Sequence, residues 1–153
     1  MILLKTTLIG DNISIFIINE TNINKDNING YVKELIIKLK RKYRKKISGL
    51  YKANIYINKN YGIIIDLIKE EDIDFFSDMV DLKIILHENE EMYLSFDDYF
   101  LLKQKKIFFL NNKYYININS LNKKELLKMY EFCNIIYGDQ VKELDNNFKL
   151  ISS

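Results

Sequence analysis

The sequence predicts an α+β fold in which antiparallel β-hairpins form one or two sheets packed by two main helices. Short apolar runs alternate with turn-forming Gly, Asn and Asp residues, which is typical of hairpins. Two longer segments repeat apolar residues at spacings of three and four, which is typical of helices with one buried face. The 153 residues include no proline and five glycines, so no flexible linker divides the chain. We therefore expect one compact domain over 1–153, with 69–80 as the place where two lobes would separate.

Four hairpins account for most of the expected strands. The first turns at 10–12, between two β-rich runs. The second turns at 58–60, and the third joins "DLKIILH" to "EMYLSFD" around 88–90. The fourth turns at Asn111 and Asn112, a pair that tolerates the positive φ angles of a type I′ turn. About eight short antiparallel strands follow from this pattern, and their sheet edges can pair with another chain.

The first helix is expected to begin after an Asn-rich loop at 19–30. Gly49 stands where a glycine would end this helix. Its apolar face is predicted from six residues, namely Val32, Leu35, Ile36, Leu39, Tyr43 and Ile47.

The second main helix is expected to start near Asn122, whose side chain can cap it while Glu125 reaches back three residues later. Gly138 is placed to end this helix. Its apolar face is predicted from Leu126, Met129, Tyr130, Cys133, Ile136 and Tyr137.

The composition indicates a source and a compartment. Ile, Lys and Asn together supply 65 residues (26, 21 and 18), and Lys outnumbers Arg 21 to 2. Codons for these residues are A/T-rich, so we expect an A/T-rich bacterial, phage or viral genome. Cys133 is the single cysteine, which fits a reducing compartment. The apolar start lacks the features of a signal peptide, and no apolar run is long enough for a membrane span. We expect a cytoplasmic protein, in a bacterium or an infected host cell.

Charge is distributed unevenly along the chain. Residues 1–61 carry 12 basic and 4 acidic groups, a net of +8. Residues 62–100 carry 2 basic and 12 acidic groups, a net of −10, and residues 101–153 carry 9 and 5, a net of +4. The sum is the overall +2. A nearly neutral protein of this kind can present strong local fields of both signs.

The segment 38–46 has seven basic residues in nine positions and no acid. One interpretation places them on the solvent side and C-terminal end of the first helix, where cations favour the negative end of the helix dipole. Two alternatives are contact with an acidic protein surface or an intramolecular partner, and contact with the phosphates of a nucleic acid, because phosphate contacts dominate affinity for nucleic acids. The residues that would make them are Lys38, Lys40, Arg41, Arg44 and Lys45.

The acidic segment suggests a protein-binding surface, or alternatively the solvated turns of a sheet. Tyr and Phe make up 13% of the chain, and Tyr114 and Tyr115 must face opposite sides of a strand. Exposed tyrosine beside charge is typical of protein interfaces. The residues proposed to contact a partner are Glu70, Glu71, Asp72, Asp74, Glu90, Glu91, Asp97, Asp98 and Tyr114.

Candidate catalytic residues are isolated in the sequence. His87 is the sole histidine, Cys133 falls on an apolar helix face, and Asp66 lies in a run of Ile. No second His or ligand-spaced Cys indicates a metal, and no glycine-rich phosphate loop or nucleophile motif is present. We therefore expect no enzyme activity, no metal and no cofactor.

These observations predict a non-enzymatic interaction protein that binds another protein through charged and Tyr-rich surfaces. Its role would be that of an adaptor, an immunity protein or a phage-type inhibitor of a host nuclease system. The alternative is a small nucleic-acid-binding protein that uses the basic helix at 38–46. A homodimer could form through an edge strand.

Overall fold

The structure is a computed structural model that describes residues 3–20, 22–71, 79–97, 106–145 and 149–152. The chain clusters into two compact units. The first comprises 1–57 and 62–87, and the second comprises 58–61 and 88–153. The segment 69–80, expected to separate two lobes, falls within the span of the first unit, and 72–78 lie outside the described residues.

The first unit is a five-stranded sheet covered by one helix. The strands are β1 (Leu3–Ile9), β2 (Asn12–Ile18), β3 (Gly49–Asn58), β4 (Gly62–Glu71) and β5 (Val80–His87), and the helix is α1 (Ile28–Tyr43). The order of the strands in the sheet is β1-β2-β4-β3-β5.

The hairpins expected at 10–12 and 58–60 are present. Strands β1 and β2 pair antiparallel from Leu3↔Ile18 to Ile9↔Asn12, and the turn between them has Gly10 at φ 60°. Strands β3 and β4 are neighbours in the sheet. The side chain of Asn58 closes the turn between them by accepting hydrogen bonds from the backbone N–H of Asn60 and Tyr61, at 2.9 and 3.0 Å.

Helix α1 buries the apolar face predicted for it, but it ends earlier than expected. Arg44 adopts the left-handed conformation at φ 49° and terminates the helix. Tyr43, the last helical residue, is exposed rather than buried, and Ile47 lies beyond the helix and is buried from a loop. The prediction that Gly49 ends the helix is wrong, since Gly49 begins β3. Five residues of the helix are buried, namely Ile28, Val32, Leu35, Ile36 and Leu39.

The third hairpin, expected around 88–90, is not formed. Strand β5 instead pairs parallel to β3, with Gly49↔Val80 and Tyr56↔His87 at the two ends of the ladder. The physical reason is that the alternate apolar residues of β5 pack against the core beneath α1. The residues expected to form the partner strand, Tyr93–Phe96, are instead paired on both sides within the second unit. Parallel pairing requires a long connection, which β4 and the segment after it provide.

The second unit contains another five-stranded sheet. Its strands are β6 (Tyr93–Phe96), β7 (Ile107–Leu110), β8 (Lys113–Asn117), β9 (Asn134–Ile136) and β10 (Lys149–Ser152). Their order in the sheet is β10-β7-β8-β6-β9. Asn111 and Asn112, between β7 and β8, have φ angles of 51° and 64°, as a type I′ turn requires, so the fourth predicted hairpin is confirmed.

The second main helix is shorter than the sequence indicates. The capping box between Asn122 and Glu125 is present, with hydrogen bonds of 2.8 and 3.0 Å, and α2 (Lys123–Met129) begins there. The helix stops at Met129 because the following residues enter the sheet: Ile135 and Ile136 pair with β6 as part of β9. Gly138 therefore precedes a third helix, α3 (Asp139–Asp145), rather than ending the second.

Both units together confirm the α+β class. Helix α3 packs Val141 against Tyr93 and Tyr115 on one face of the second sheet. The expected pattern of antiparallel hairpins in two sheets holds, apart from the parallel β3–β5 pair.

Candidate binding groove

The predicted basic run is divided between two local structures. Lys38, Lys40 and Arg41 lie on the last turns of α1, whereas Arg44 is the residue that caps it. Lys38, Arg41 and Arg44 are exposed, and Lys40 is half-buried. Lys45 follows the helix, and its Nζ donates a 2.6 Å hydrogen bond to the carbonyl oxygen of Gly10. The cations near the helix end also interact favourably with the helix dipole.

The predicted acidic surface is divided between the two units. Glu70 and Glu71 are exposed at the end of β4, in the first unit. Glu90 and Glu91 precede β6 and Asp97 follows it, all in the second unit. The remaining three, Asp72, Asp74 and Asp98, lie outside the described residues.

Tyr114 belongs to an aromatic cluster in the second sheet. Its ring stacks on that of Phe96, with centroids 5.7 Å apart and an interplanar angle of 18°. The ring of Phe109 lies 5.2 Å from it on the neighbouring strand. Tyr114 is half-buried, while Tyr115 points to the opposite face and is buried against Val141. The ring of Tyr114 therefore packs against Phe96 and Phe109 while part of the residue stays exposed.

A concave surface that combines apolar and charged residues lies between α1 and β5 in the first unit. At one end it is lined by Ile36, Ile37 and Val80, and its volume there is about 190 Å³. A second cavity of about 560 Å³ lies between the same two elements, lined by Ile28, Ile84 and Leu86, and it shares no lining residue with the first. We call the two cavities together the α1–β5 groove. Early residues of α1 meet late residues of β5, so the two elements run in opposite directions.

One wall of the groove is a strand edge. In the described part of the chain β5 is the last strand of its sheet and pairs with β3 on one side. The backbone N–H and C=O groups of alternate β5 residues therefore point away from β3 and can bond to an added strand. Asp81 and Lys83 are exposed on the sheet face away from α1. Charged side chains on an edge strand disfavour non-specific pairing with strands of other proteins.

The apolar floor of the groove is incompletely covered. Val80, Leu82, Ile84 and Leu86 point toward α1 and pack against the core, but each remains half-buried. The equivalent residues of the inner strands, among them Ile55 and Ile63, are completely buried. Ile37 on the helix side is 49% exposed. The groove therefore presents apolar surface that a bound side chain could remove from water.

The charged residues that line the groove are all basic. Lys33 and Lys40 line the end near Val80, and Lys25 lines the other end. No acidic residue lines either end within the residues that the structure describes. The groove is therefore apolar at its base and positive at its rim.

The residues considered for catalysis are each engaged in the fold. His87 Nε2 lies 3.2 Å from Asn54 Oδ1, and the ring stacks on Tyr56 with centroids 4.6 Å apart. Asp66 accepts a 2.8 Å hydrogen bond from the hydroxyl of Ser14. Burial raises the pKa of the Cys133 thiol to about 11, so the reactive thiolate is scarce at neutral pH. Cys133 lies in the second unit and His87 in the first.

Two kinds of feature are absent from the residues that the structure describes. They contain no group of three or more His, Cys, Asp or Glu side chains arranged to hold a metal ion. They also contain no helix with the length and apolar character needed to cross a membrane.

Sequence reasoning did not find the groove residues, because they are joined by the parallel β3–β5 pairing. One local signal was available. Ile37 interrupts the polar face of α1 between Lys33 and Arg41, where a solvated helix surface would be expected to continue.

Comparison with known proteins found no matching family, no matching curated protein and no matching solved structure. The groove must therefore be interpreted from its own chemistry.

Proposed function

We propose that this protein is an interaction module that binds an extended segment of another protein in the α1–β5 groove. The bound segment would pair with β5 and lengthen the sheet by one strand. The observation that carries the proposal is an eight-residue strand edge flanked by a helix, with half-buried apolar side chains between them. This combination is the basis of peptide recognition by strand addition.

In strand addition, backbone hydrogen bonds supply affinity and the contacts of alternate side chains supply specificity. Backbone hydrogen bonds to β5 would supply affinity for any extended segment. Successive side chains of a strand point to opposite faces, so every second side chain of the bound segment would enter the groove. There it would contact Ile37 and the half-buried residues of β5. We therefore expect partner segments with apolar residues at alternate positions.

The basic rim supports an acidic partner. Lys25, Lys33 and Lys40 are the charged residues that line the groove, and a segment bearing Asp or Glu beside its apolar residues would complement them. Such complementarity raises association rates and suppresses wrong partners. A cytoplasmic adaptor, immunity protein or inhibitor of a nuclease system would use a surface of this kind. This assigns binding to the groove rather than to the acidic residues and Tyr114.

A peptide library tests the proposal directly. Displayed random peptides of roughly ten residues, long enough to pair along a strand, would be selected against the full chain. We expect the enriched peptides to alternate apolar residues and to contain Asp or Glu. Their affinities would then be measured by fluorescence anisotropy with the wild-type protein and two groups of variants.

The first variant removes the apolar contact. Because Ile37 is 49% exposed, Ile37→Asp is compatible with the fold. It should weaken binding of selected peptides by about tenfold or more, since an apolar contact is replaced by a charge. Unchanged affinity in Ile37→Asp, or a library without the expected alternation, would contradict the proposal.

A matched pair of double variants tests the charge. Lys33→Glu with Lys40→Glu reverses charge at the groove, whereas Lys38→Glu with Arg41→Glu makes the same change in charge on helix residues that do not line it. Peptide affinity should fall in the first double variant and persist in the second. Equal losses in both would indicate non-specific attraction and reject the groove as the site.

The same variants distinguish the nucleic-acid alternative, which the exposure of Lys38, Arg41 and Arg44 supports. Single-stranded RNA and duplex DNA would be titrated at about 50 and 200 mM salt, where phosphate contacts give a steep loss of affinity. Binding that depends on salt and is abolished by Lys38→Glu with Arg41→Glu, without selection of peptides, would replace protein binding by nucleic-acid binding.

A further inference from the structure

Among the residues that the structure describes, the other edge of the first sheet is formed by β1, which pairs with β2 along its whole length. The register runs without a bulge from Leu3↔Ile18 to Ile9↔Asn12. Leu4 is 51% exposed and Ile9 is 72% exposed. Lys5 is the single charged residue of the strand. A long, regular, weakly charged edge is the kind that pairs with another strand.

The hairpin geometry defines which backbone groups face outward. Ile9 and Asn12 flank the two-residue turn and form the closing pair of the hairpin, which in such turns is a hydrogen-bonded pair. Hydrogen-bonded and non-hydrogen-bonded pairs alternate along an antiparallel ladder. Leu4, Thr6 and Leu8 are therefore in the non-hydrogen-bonded pairs. Their N–H and C=O groups point away from β2, toward the open edge.

We propose that the chain forms a homodimer in which β1 pairs antiparallel with β1 of a second copy, on a two-fold axis at Thr6. Thr6 would face Thr6 of the second copy, and Leu4 would face Leu8 in both directions. All seven residues of the strand would be paired. The first sheet of one copy, with five strands, would join the first sheet of the other copy to form one continuous sheet of ten strands. This surface is distinct from the α1–β5 groove, at the opposite edge of the sheet.

The side chains select this register. With the axis at Thr6, Lys5 lies opposite Thr7 and no like charges face each other. An axis at Lys5 would place two lysines directly opposite, which is destabilising. The chosen register also places the exposed Leu4 against Leu8, a residue that packs on the core. The strand is therefore complementary to itself, as a two-fold interface requires.

Charge substitution at the axis provides the test. Thr6→Lys and Thr6→Glu each place like charges opposite one another in the dimer, and lysine on an edge strand is well tolerated in the monomer. Mass would be measured by sedimentation over a range up to about 200 μM, because dimerisation depends on concentration. We expect wild type to reach twice the 18.3 kDa chain mass. Each variant alone should remain monomeric.

Mixing the two Thr6 variants should restore dimer formation. An equimolar mixture of Thr6→Lys and Thr6→Glu should form a heterodimer, because opposite charges now meet at the axis. Circular dichroism would establish that each variant folds. A wild type that stays monomeric over the range, variants that still dimerise alone, or a mixture that fails to dimerise would each overturn the proposal.

Discussion

The ammonium group of Lys45 donates a 2.6 Å hydrogen bond to the carbonyl oxygen of Gly10. The two residues are 35 positions apart in the chain. The contact joins the loop after α1 to the turn between β1 and β2, so it fixes the C-terminal side of the helix to the edge hairpin. One cation of the basic run therefore has a structural role, and it should be treated separately from the exposed Lys38 and Arg41 on the helix.

Replacing Lys45 should lower the stability of the fold. The hydrogen bond has a charged donor but is solvent-exposed, so Lys45→Ala should reduce the free energy of unfolding by about 0.5–1.5 kcal/mol. Lys38→Ala is the matched control, because Lys38 is an exposed helix residue and alanine favours the helix. Urea denaturation of both variants measures the difference. Equal stability of the two would show that the Lys45 contact contributes nothing.

Two glycines should respond to alanine in opposite directions. At Gly62, φ is 130° and an added Cβ would collide with the carbonyl oxygen of Ile17 and lie 2.9 Å from the backbone nitrogen of Asn19. Because backbone on the neighbouring strand cannot yield, Gly62→Ala should cost about 3 kcal/mol or more. Gly30 lies in α1 with no atom within 4 Å of an added Cβ.

Gly30→Ala should therefore stabilise the protein by about 0.5–1 kcal/mol, because alanine has the higher helix propensity. Thermal and urea unfolding of the two variants would be compared with wild type. A Gly62→Ala protein as stable as wild type would mean that β2 and β4 are not held as closely as the structure indicates.

Local chemistry made much of the fold predictable. The type I′ turn at Asn111 and Asn112 and the capping box at Asn122 and Glu125 depend on residues within a few positions of one another. The sequence therefore carries the whole signal for these features. Four of the six residues predicted for the buried face of α1 lie on it (Val32, Leu35, Ile36 and Leu39), because their spacing is a property of one helix.

Non-local pairing explains the errors. The side-chain pattern of β5 would suit a strand with one buried face whichever strand lay beside it. The sequence of β5 therefore cannot reveal that its neighbour is β3, about thirty residues earlier in the chain. In the same way, Ile135 and Ile136 fit an apolar helix face, but pairing with β6 places them in a strand. The α1–β5 groove depends on the first of these pairings, and it could not be predicted without it.

The thiol of Cys133 should react slowly with alkylating reagents. Burial raises its pKa from 9.0 to about 11, and the thiolate is the reactive form. At neutral pH the thiolate fraction would then be about a hundredfold lower than that of an unshifted thiol. We expect iodoacetamide to modify the native protein at least about tenfold more slowly than the urea-unfolded protein. Comparable rates in the two states would show that the Cys133 thiol is accessible and ionises normally.

The stability of the first unit should depend on the ionisation of Tyr31 at high pH. Burial, with a smaller effect from the Glu20 carboxylate, raises the pKa of Tyr31 from 10.0 to about 12. The Tyr31 hydroxyl donates a 3.4 Å hydrogen bond to Glu20 Oε2, which requires the protonated phenol. The folded state therefore holds this proton more tightly than the unfolded state. The resulting stabilisation is fully present below pH 10 and is lost as the pH rises toward 12.

Tyr31→Phe isolates this effect, because it removes the ionisation and the hydrogen bond while keeping the ring. The free energy of unfolding would be measured for both proteins from pH 8 to 11. We expect wild type to be the more stable below pH 10 and its advantage to shrink above that pH, since the other titrating groups are common to both proteins. A stability difference that stays constant over the whole range would mean that Tyr31 ionises equally easily in the folded and unfolded states.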